Sequence, residues 1–156
     1  MLIKKIKCKI TLKKYLINVL LATVCDVMPL RKLNRLIAKV ALKEFKLNEN
    51  QAFKELYKLT NKKNKITIND LGYLIGPILN SGGRLGKSNY ATELLSSKNH
   101  KIVNKKSLDL IYLNNKRKKL ESITLNDIDF HKLENENENV IVYYNPNINE
   151  GLIGII

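Results

Sequence analysis

The sequence predicts a mainly helical chain that closes on a short strand. Three observations carry this. Apolar residues recur at helical spacing over much of the chain. Cap and stop residues punctuate that pattern. β-Branched and aromatic residues gather near the end, at Val140–Tyr144.

The elements follow in order. Tyr15–Val27 is almost continuously apolar and ends ahead of Pro29. Its length favours a buried helix, leading into a short extended piece before the proline. A second helix begins near Leu33, with Leu36, Ile37, Val40, Ala41 and Phe45 on its apolar face and Lys39, Lys43 and Glu44 turned away. Asn48, with Gln51 three residues on, is read as the cap of a third helix whose apolar face is Ala52, Phe53, Leu56 and Tyr57. Asn61–Lys65 is a polar, basic loop. Thr67 with Asp70 starts a short helix that reaches Ile75, where Gly76-Pro77 is expected to stop it.

Asn80-Ser81-Gly82-Gly83-Arg84-Leu85-Gly86 is the most unusual local sequence, and its glycines predict a loop with backbone conformations closed to other residues. Ser88 or Asn89 then caps a short helix through Leu95. From about Lys101 to Leu133 the pattern is helical, long and poorly amphipathic, with a basic cluster at Lys116–Lys119. Such a helix often bridges two domains. Glu134–Asn139 is a polar break, Asn145-Pro146-Asn147 turns, and Gly151–Ile156 is an apolar run. A strand, a turn and a glycine-containing apolar run normally open a βα unit, so the sequence is expected to end inside a domain.

Lysine and arginine number 28 against 14 acids, a net charge of +14. That excess suggests a polyanionic partner, nucleic acid or a membrane surface. A composition rich in lysine, asparagine and isoleucine also arises from AT-rich codons, and charge alone does not choose between the two. Cys8 and Cys25 match no zinc spacing and make no disulfide framework, which points to reduced thiols in a cytoplasmic protein. The lysine-rich start followed by an apolar run imitates a secretory signal. However, Val24 stands where a small residue is needed before Cys25. The run is also shorter than the roughly 20 residues that span a bilayer.

Few residues offer chemistry by themselves. Asp26 is the one carboxylate in an apolar stretch, and burying it requires a partner, a hydrogen bond or a metal. Its residue context alone favours a cap or turn before Pro29 over a metal ligand. Glycines let backbone N–H groups approach an anion, and the Arg84 fork matches phosphate oxygens. The same residues also suit a tight turn with a solvated arginine. His100 and His131 have no partners at metal spacing and read as surface residues. Tyr143 and Tyr144 fit a strand better than a base-stacking platform. Lys116–Lys119 fits a solvated face that contacts phosphate without reading sequence.

Together these residues resemble a family. Ala22-Thr23-Val24-Cys25-Asp26-Val27-Met28-Pro29-Leu30, followed by Asn34-Arg35, is similar to the last catalytic motif of the RecJ exonucleases. Leu74-Ile75-Gly76-Pro77-Ile78-Leu79-Asn80-Ser81-Gly82-Gly83-Arg84-Leu85-Gly86 resembles that family's glycine-arginine signature. Glu93-Leu94-Leu95 and Leu113-Asn114-Asn115-Lys116-Arg117-Lys118 fall where the family has a Glu-Leu-Leu run and the start of a linking helix. Val140–Tyr144 and Gly151-Leu152-Ile153-Gly154-Ile155 resemble the opening of its second domain. The resemblance runs from about Tyr15 to Ile156.

The resemblance implies an α/β fold of the DHH phosphoesterase kind, of which this chain would supply a mainly α part. Residues 1–98 would be the C-terminal part of the DHH catalytic domain and 99–135 the long linking helix. Residues 136–156 would be the first strand of a truncated DHHA1 domain. It implies two Mn²⁺ or Mg²⁺ ions that activate water and stabilise the displaced oxygen of a phosphodiester. Asp26 would then be one metal ligand, reversing the reading from its context alone. Arg84 and Asn80 would hold a substrate phosphate, with Gly82 and Gly83 letting the backbone approach it.

The family's Asp-x-Asp and Asp-His-His motifs precede the matched region, and neither stands ahead of Asp26 in this sequence. Asn149 stands at the usual histidine position and Ile78 where arginine is frequent. The expectation is therefore a split or decaying piece of a 5′–3′ single-stranded-DNA exonuclease of repair and recombination, inactive unless another polypeptide supplies the missing motifs. A noncatalytic basic nucleic-acid-binding module and a DHH phosphoesterase of small phosphorylated substrates are the alternatives.

Overall fold

The computed structural model describes residues 12–128 and 144–155, and the described residues form helices and turns with no strand among them. The chain divides into two compact units, Met1–Pro77 and Ile78–Ile156.

In the first unit a 3₁₀ turn, Leu12–Tyr15, leads into α1, Leu16–Cys25. Ile17, Leu20 and Leu21 of the apolar run are buried. Helix α2, Lys32–Glu44, packs on α1. Its buried residues are the small Ala38 and Ala41, while Leu33 and Leu36 of the predicted apolar face are 66% and 58% exposed. The predicted stripe is therefore wider than the face that is covered.

A 3₁₀ turn, Leu47–Glu49, takes up Asn48, so the cap of α3, Gln51–Leu59, is Asn50 rather than Asn48. The Phe53 amide donates to Asn50 Oδ1 at 3.1 Å. Ala52, Phe53, Leu56 and Tyr57 are all buried as predicted. Phe53 meets Phe45 edge-on, with ring centroids 5.3 Å apart.

Thr67 and Asp70 form the predicted capping box at the turn Ile68–Asp70. The helix does not stop at Gly76-Pro77. It passes through a π-helical turn, Leu71–Ile75, and continues as α4, Gly76–Arg84. The Gly76 amide donates to the Leu71 carbonyl, a one-residue widening that lets the helix path run on into Pro77. Gly76 serves packing instead of termination. A Cβ there would lie 2.5 Å from Cys25 Sγ and 2.9 Å from the Leu71 carbonyl oxygen, so the close approach of α1 depends on its absence.

In the second unit, α5 is Asn89–Ser96 and α6 is the long helix His100–Asn126. Asn99 caps α6 by accepting from the Lys101 amide at 2.9 Å. Helices α5 and α6 pack together, and Leu94, Val103 and Leu110 are buried. The Ser81 hydroxyl reaches the carbonyls of Ile78 (2.6 Å) and Leu110 (3.1 Å), tying α4 to α6.

The predicted strand lies mostly outside the described residues, and Tyr144 is not in a strand. The apolar run expected to open a βα unit is instead a 3₁₀ segment, Glu150–Ile155, with Leu152 buried.

Candidate functional site

Asp26 sits at the C-terminus of α1 as its cap residue, and its side chain is exposed. The turn beyond it is a Schellman motif: the Val27 amide donates to the Val24 carbonyl at 3.1 Å and the Met28 amide to the Thr23 carbonyl at 3.0 Å. Val27 takes the left-handed position, φ 53°, where glycine is usual, and is 86% exposed. This turn directs Asp26 outward. Burial, and then the charge of Asp26, push the Cys25 thiol up from its ordinary value, so it is kept neutral.

The glycine-rich segment is not a loop. Helix α4 runs through Asn80, Gly82 and Gly83 to Arg84 and ends in a second Schellman motif, with Gly86 at φ 77°. Spacings of three and four put Asn80, Gly83 and Arg84 on one face, and they line an open groove of about 370 Å³ with Leu79, Ser88 and Ala91. Gly82 faces the other way. It is buried, and a Cβ there would lie 2.8 Å from the Lys87 carbonyl oxygen and 3.0 Å from Leu110 Cδ2. A Cβ on Gly83 would meet nothing within 4 Å. The helical backbone already uses its own amides, so it forms no glycine cradle for an anion, and the groove's free polar groups are side chains.

Among the described residues no group of three or more histidine, cysteine, aspartate or glutamate side chains could hold a metal. Asp26 supplies an exposed hard oxygen ligand but no second one beside it. These residues do not fit a complete two-metal site.

The basic cluster divides. Arg117 is engaged by Glu121 at 2.9 Å and by Asn114 Oδ1 at 3.3 Å, while Lys116, Lys118 and Lys119 are exposed. His100 is exposed at the start of α6, and His131 lies outside the described residues. Two features were not legible in the sequence. Glu93 pairs with Lys106 at 2.6 Å and accepts from Asn89, while the Lys106 ammonium lies 3.5 Å from the Tyr90 ring centroid. Gly151 offers its carbonyl to Arg84 Nη1 at 2.8 Å. The Lys106 and Gly151 contacts join separate elements, which local patterns do not show.

No family model matches the chain. Its fold matches a segment of exonucleases solved with bound divalent metal. RecJ from Thermus thermophilus in complex with Mn²⁺ aligns with a TM-score of 0.80, at 24% identity over 99% of this chain and 23% of that one. The exonuclease RecJ bound to manganese gives 0.79, covering 99% of this chain and 39% of that one. The curated relatives carry the same name, single-stranded-DNA-specific exonuclease RecJ. That of Haemophilus influenzae is 32% identical over 146 residues, covering 88% of this chain and 25% of that protein. Those of Bacillus subtilis and Escherichia coli are 28% and 29% identical, and the chain covers 18% and 25% of their lengths. The chain is RecJ-like in sequence and fold, and it spans about a quarter or less of these curated relatives.

Proposed function

We propose that this chain supplies the backbone-gripping part of a RecJ-type, single-stranded-DNA-specific 5′–3′ exonuclease of DNA repair and recombination, and that it does not hydrolyse DNA by itself. The observation that carries the reading is the similarity to RecJ over 88% of the chain. In this reading residues 1–98 belong to the DHH-type domain, 99–135 to the linking helix and 136–156 to the start of the DHHA1-type domain. Asp26 is one ligand of a Mn²⁺ or Mg²⁺ site whose other ligands come from sequence this chain lacks. Its exposed place at the C-terminus of α1 leaves the carboxylate open to a ligand from outside. Arg84 and Asn80 hold a DNA phosphate in the groove they line. Gly83 keeps that groove open, while Gly82 brings α4 against α6 and supports the groove from behind.

The site would work in the cytoplasm on single-stranded DNA. No helix among the described residues is long and apolar enough to cross a membrane. The test is Mn²⁺-dependent digestion of a single-stranded oligonucleotide. The chain is assayed alone and mixed with a polypeptide carrying Asp-x-Asp and Asp-His-His motifs. Activity in the mixture, lost on Asp26→Asn, is the expected result. Activity in neither sample overturns the exonuclease part. Steeply salt-dependent binding that survives without activity leaves a noncatalytic module instead.

A further inference from the structure

Arg84 lines the groove, and one of its five N–H donors is already used. Its Nη1 donates to the Gly151 carbonyl at 2.8 Å, across 67 residues of sequence. Gly151 reaches that position because it has no side chain. A Cβ there would collide with the Arg84 carbonyl group. The turn that presents Gly151 is itself held. The Gly151 amide donates to Asn149 Oδ1 at 3.0 Å, and the Leu152 amide donates to the Asn149 carbonyl at 2.8 Å. Leu152, buried to 1% exposure, anchors the turn in the second unit.

We infer that Asn149 and Gly151 are positioning residues for Arg84. Asn149 fixes the turn, the turn aims the Gly151 carbonyl, and that carbonyl holds the guanidinium in one orientation, with four donors left for an anion. An arginine held this way before a ligand arrives loses little rotamer freedom on binding. The inference rests on the phosphate-binding reading of Arg84. It gives Asn149, which departs from the family's usual histidine, a defined task.

The test uses the full chain with nitrogen-15 in its arginine side chains. In the native protein the Arg84 guanidinium is expected to give resolved, slowly rotating Nη signals. Asn149→Ala should average them, and Asn149→Asp, which keeps an acceptor oxygen, should restore them. Gly151→Ala should average them more fully, with far-UV circular dichroism confirming the fold. Affinity for a single-stranded oligonucleotide should fall about three- to tenfold in Asn149→Ala, the size expected when a free arginine must be immobilised on binding. That loss should vanish in an Arg84→Ala background. Unchanged Arg84 signals in Asn149→Ala and Gly151→Ala, or a loss that adds to that of Arg84→Ala, overturns the inference. A native chain that binds no oligonucleotide sinks the phosphate reading instead, and the guanidinium signals then decide the anchoring independently.

Discussion

Three of the described helices end in the same hydrogen-bonded motif, and only one of those three ends badly. After α3 the left-handed position is Asn61, φ 56°; after α4 it is Gly86, φ 77°; after α1 it is Val27, φ 53°. Each shows the paired 6→1 and 5→2 bonds, from Lys62 and Asn61, from Lys87 and Gly86, and from Met28 and Val27. Glycine and asparagine tolerate this conformation, while a β-branched residue does not. The left-handed backbone costs an ordinary residue about 1–2 kcal/mol. Val27→Gly removes that cost but adds about 0.5–1 kcal/mol of chain entropy lost on folding. Val27 is 86% exposed, so little burial is forfeited. The net expectation is roughly 0.5–1 kcal/mol of stabilisation, or a Tm raised by about 1–4 °C for a chain of this size. Val27→Asn should fall between the two, and Gly86→Val should destabilise by a similar amount. Urea titration and thermal melts read all three. A Val27→Gly protein no more stable than the native one would show that Val27 is not strained, and the account of this turn would fail.

Further expectations follow from single atoms. Gly82→Ala and Gly83→Ala should have opposite signs in the same melts. Alanine gains up to about 1 kcal/mol of helix propensity at an open site such as 83, while at 82 it is driven into the Lys87 carbonyl and Leu110 at a cost of about 1–3 kcal/mol. Gly76→Ala should destabilise the first unit, and pairing it with Cys25→Ala should recover part of the loss, as a chemical-denaturation double-mutant cycle would show. Asp70 is held below the ordinary carboxylate range. Burial works to raise it, but the Thr67 hydroxyl and amide and the Lys62 ammonium at 3.0 Å outweigh that, with the Tyr57 hydroxyl alongside outside strict hydrogen-bonding geometry. The stabilisation is present above the unfolded-state value and lost as pH falls through the folded-state value, so acid unfolding should be shallower in Asp70→Asn.

Local rules were enough where one element decides its own structure. The α1 and α3 cores and the Thr67–Asp70 box follow from run length, spacing and a cap that involve neighbours in sequence, and the long α6 was expected too, although it ends at Asn126 and not near Leu133. They failed where packing decides. Gly76-Pro77 carries the usual signs of a helix stop, yet Gly76 is there for the Cys25 side chain, which no window of local sequence contains. Leu33 and Leu36 have helical spacing but no cover, because periodicity shows which face is apolar and not what lies against it. Of the four residues the sequence singled out, Asn80, Gly83 and Arg84 line one groove and Gly82 does not, and the helical backbone under them was not legible.

That backbone changes the chemistry available to the groove. A loop would offer free amides in a concave nest, and its anion affinity would rest on the main chain. A helix has spent those amides on its own carbonyls, and here Arg84 falls in its last turn, where the dipole is negative. An anion near this end is therefore opposed by the backbone, and its attraction must come from the guanidinium and from the Asn80 amide one turn earlier. A charge that works against a helix dipole gains most when it is already aimed at the ligand. If Arg84 holds a phosphate as proposed, the Gly151 carbonyl contact would therefore matter more to this groove than the glycines beside it.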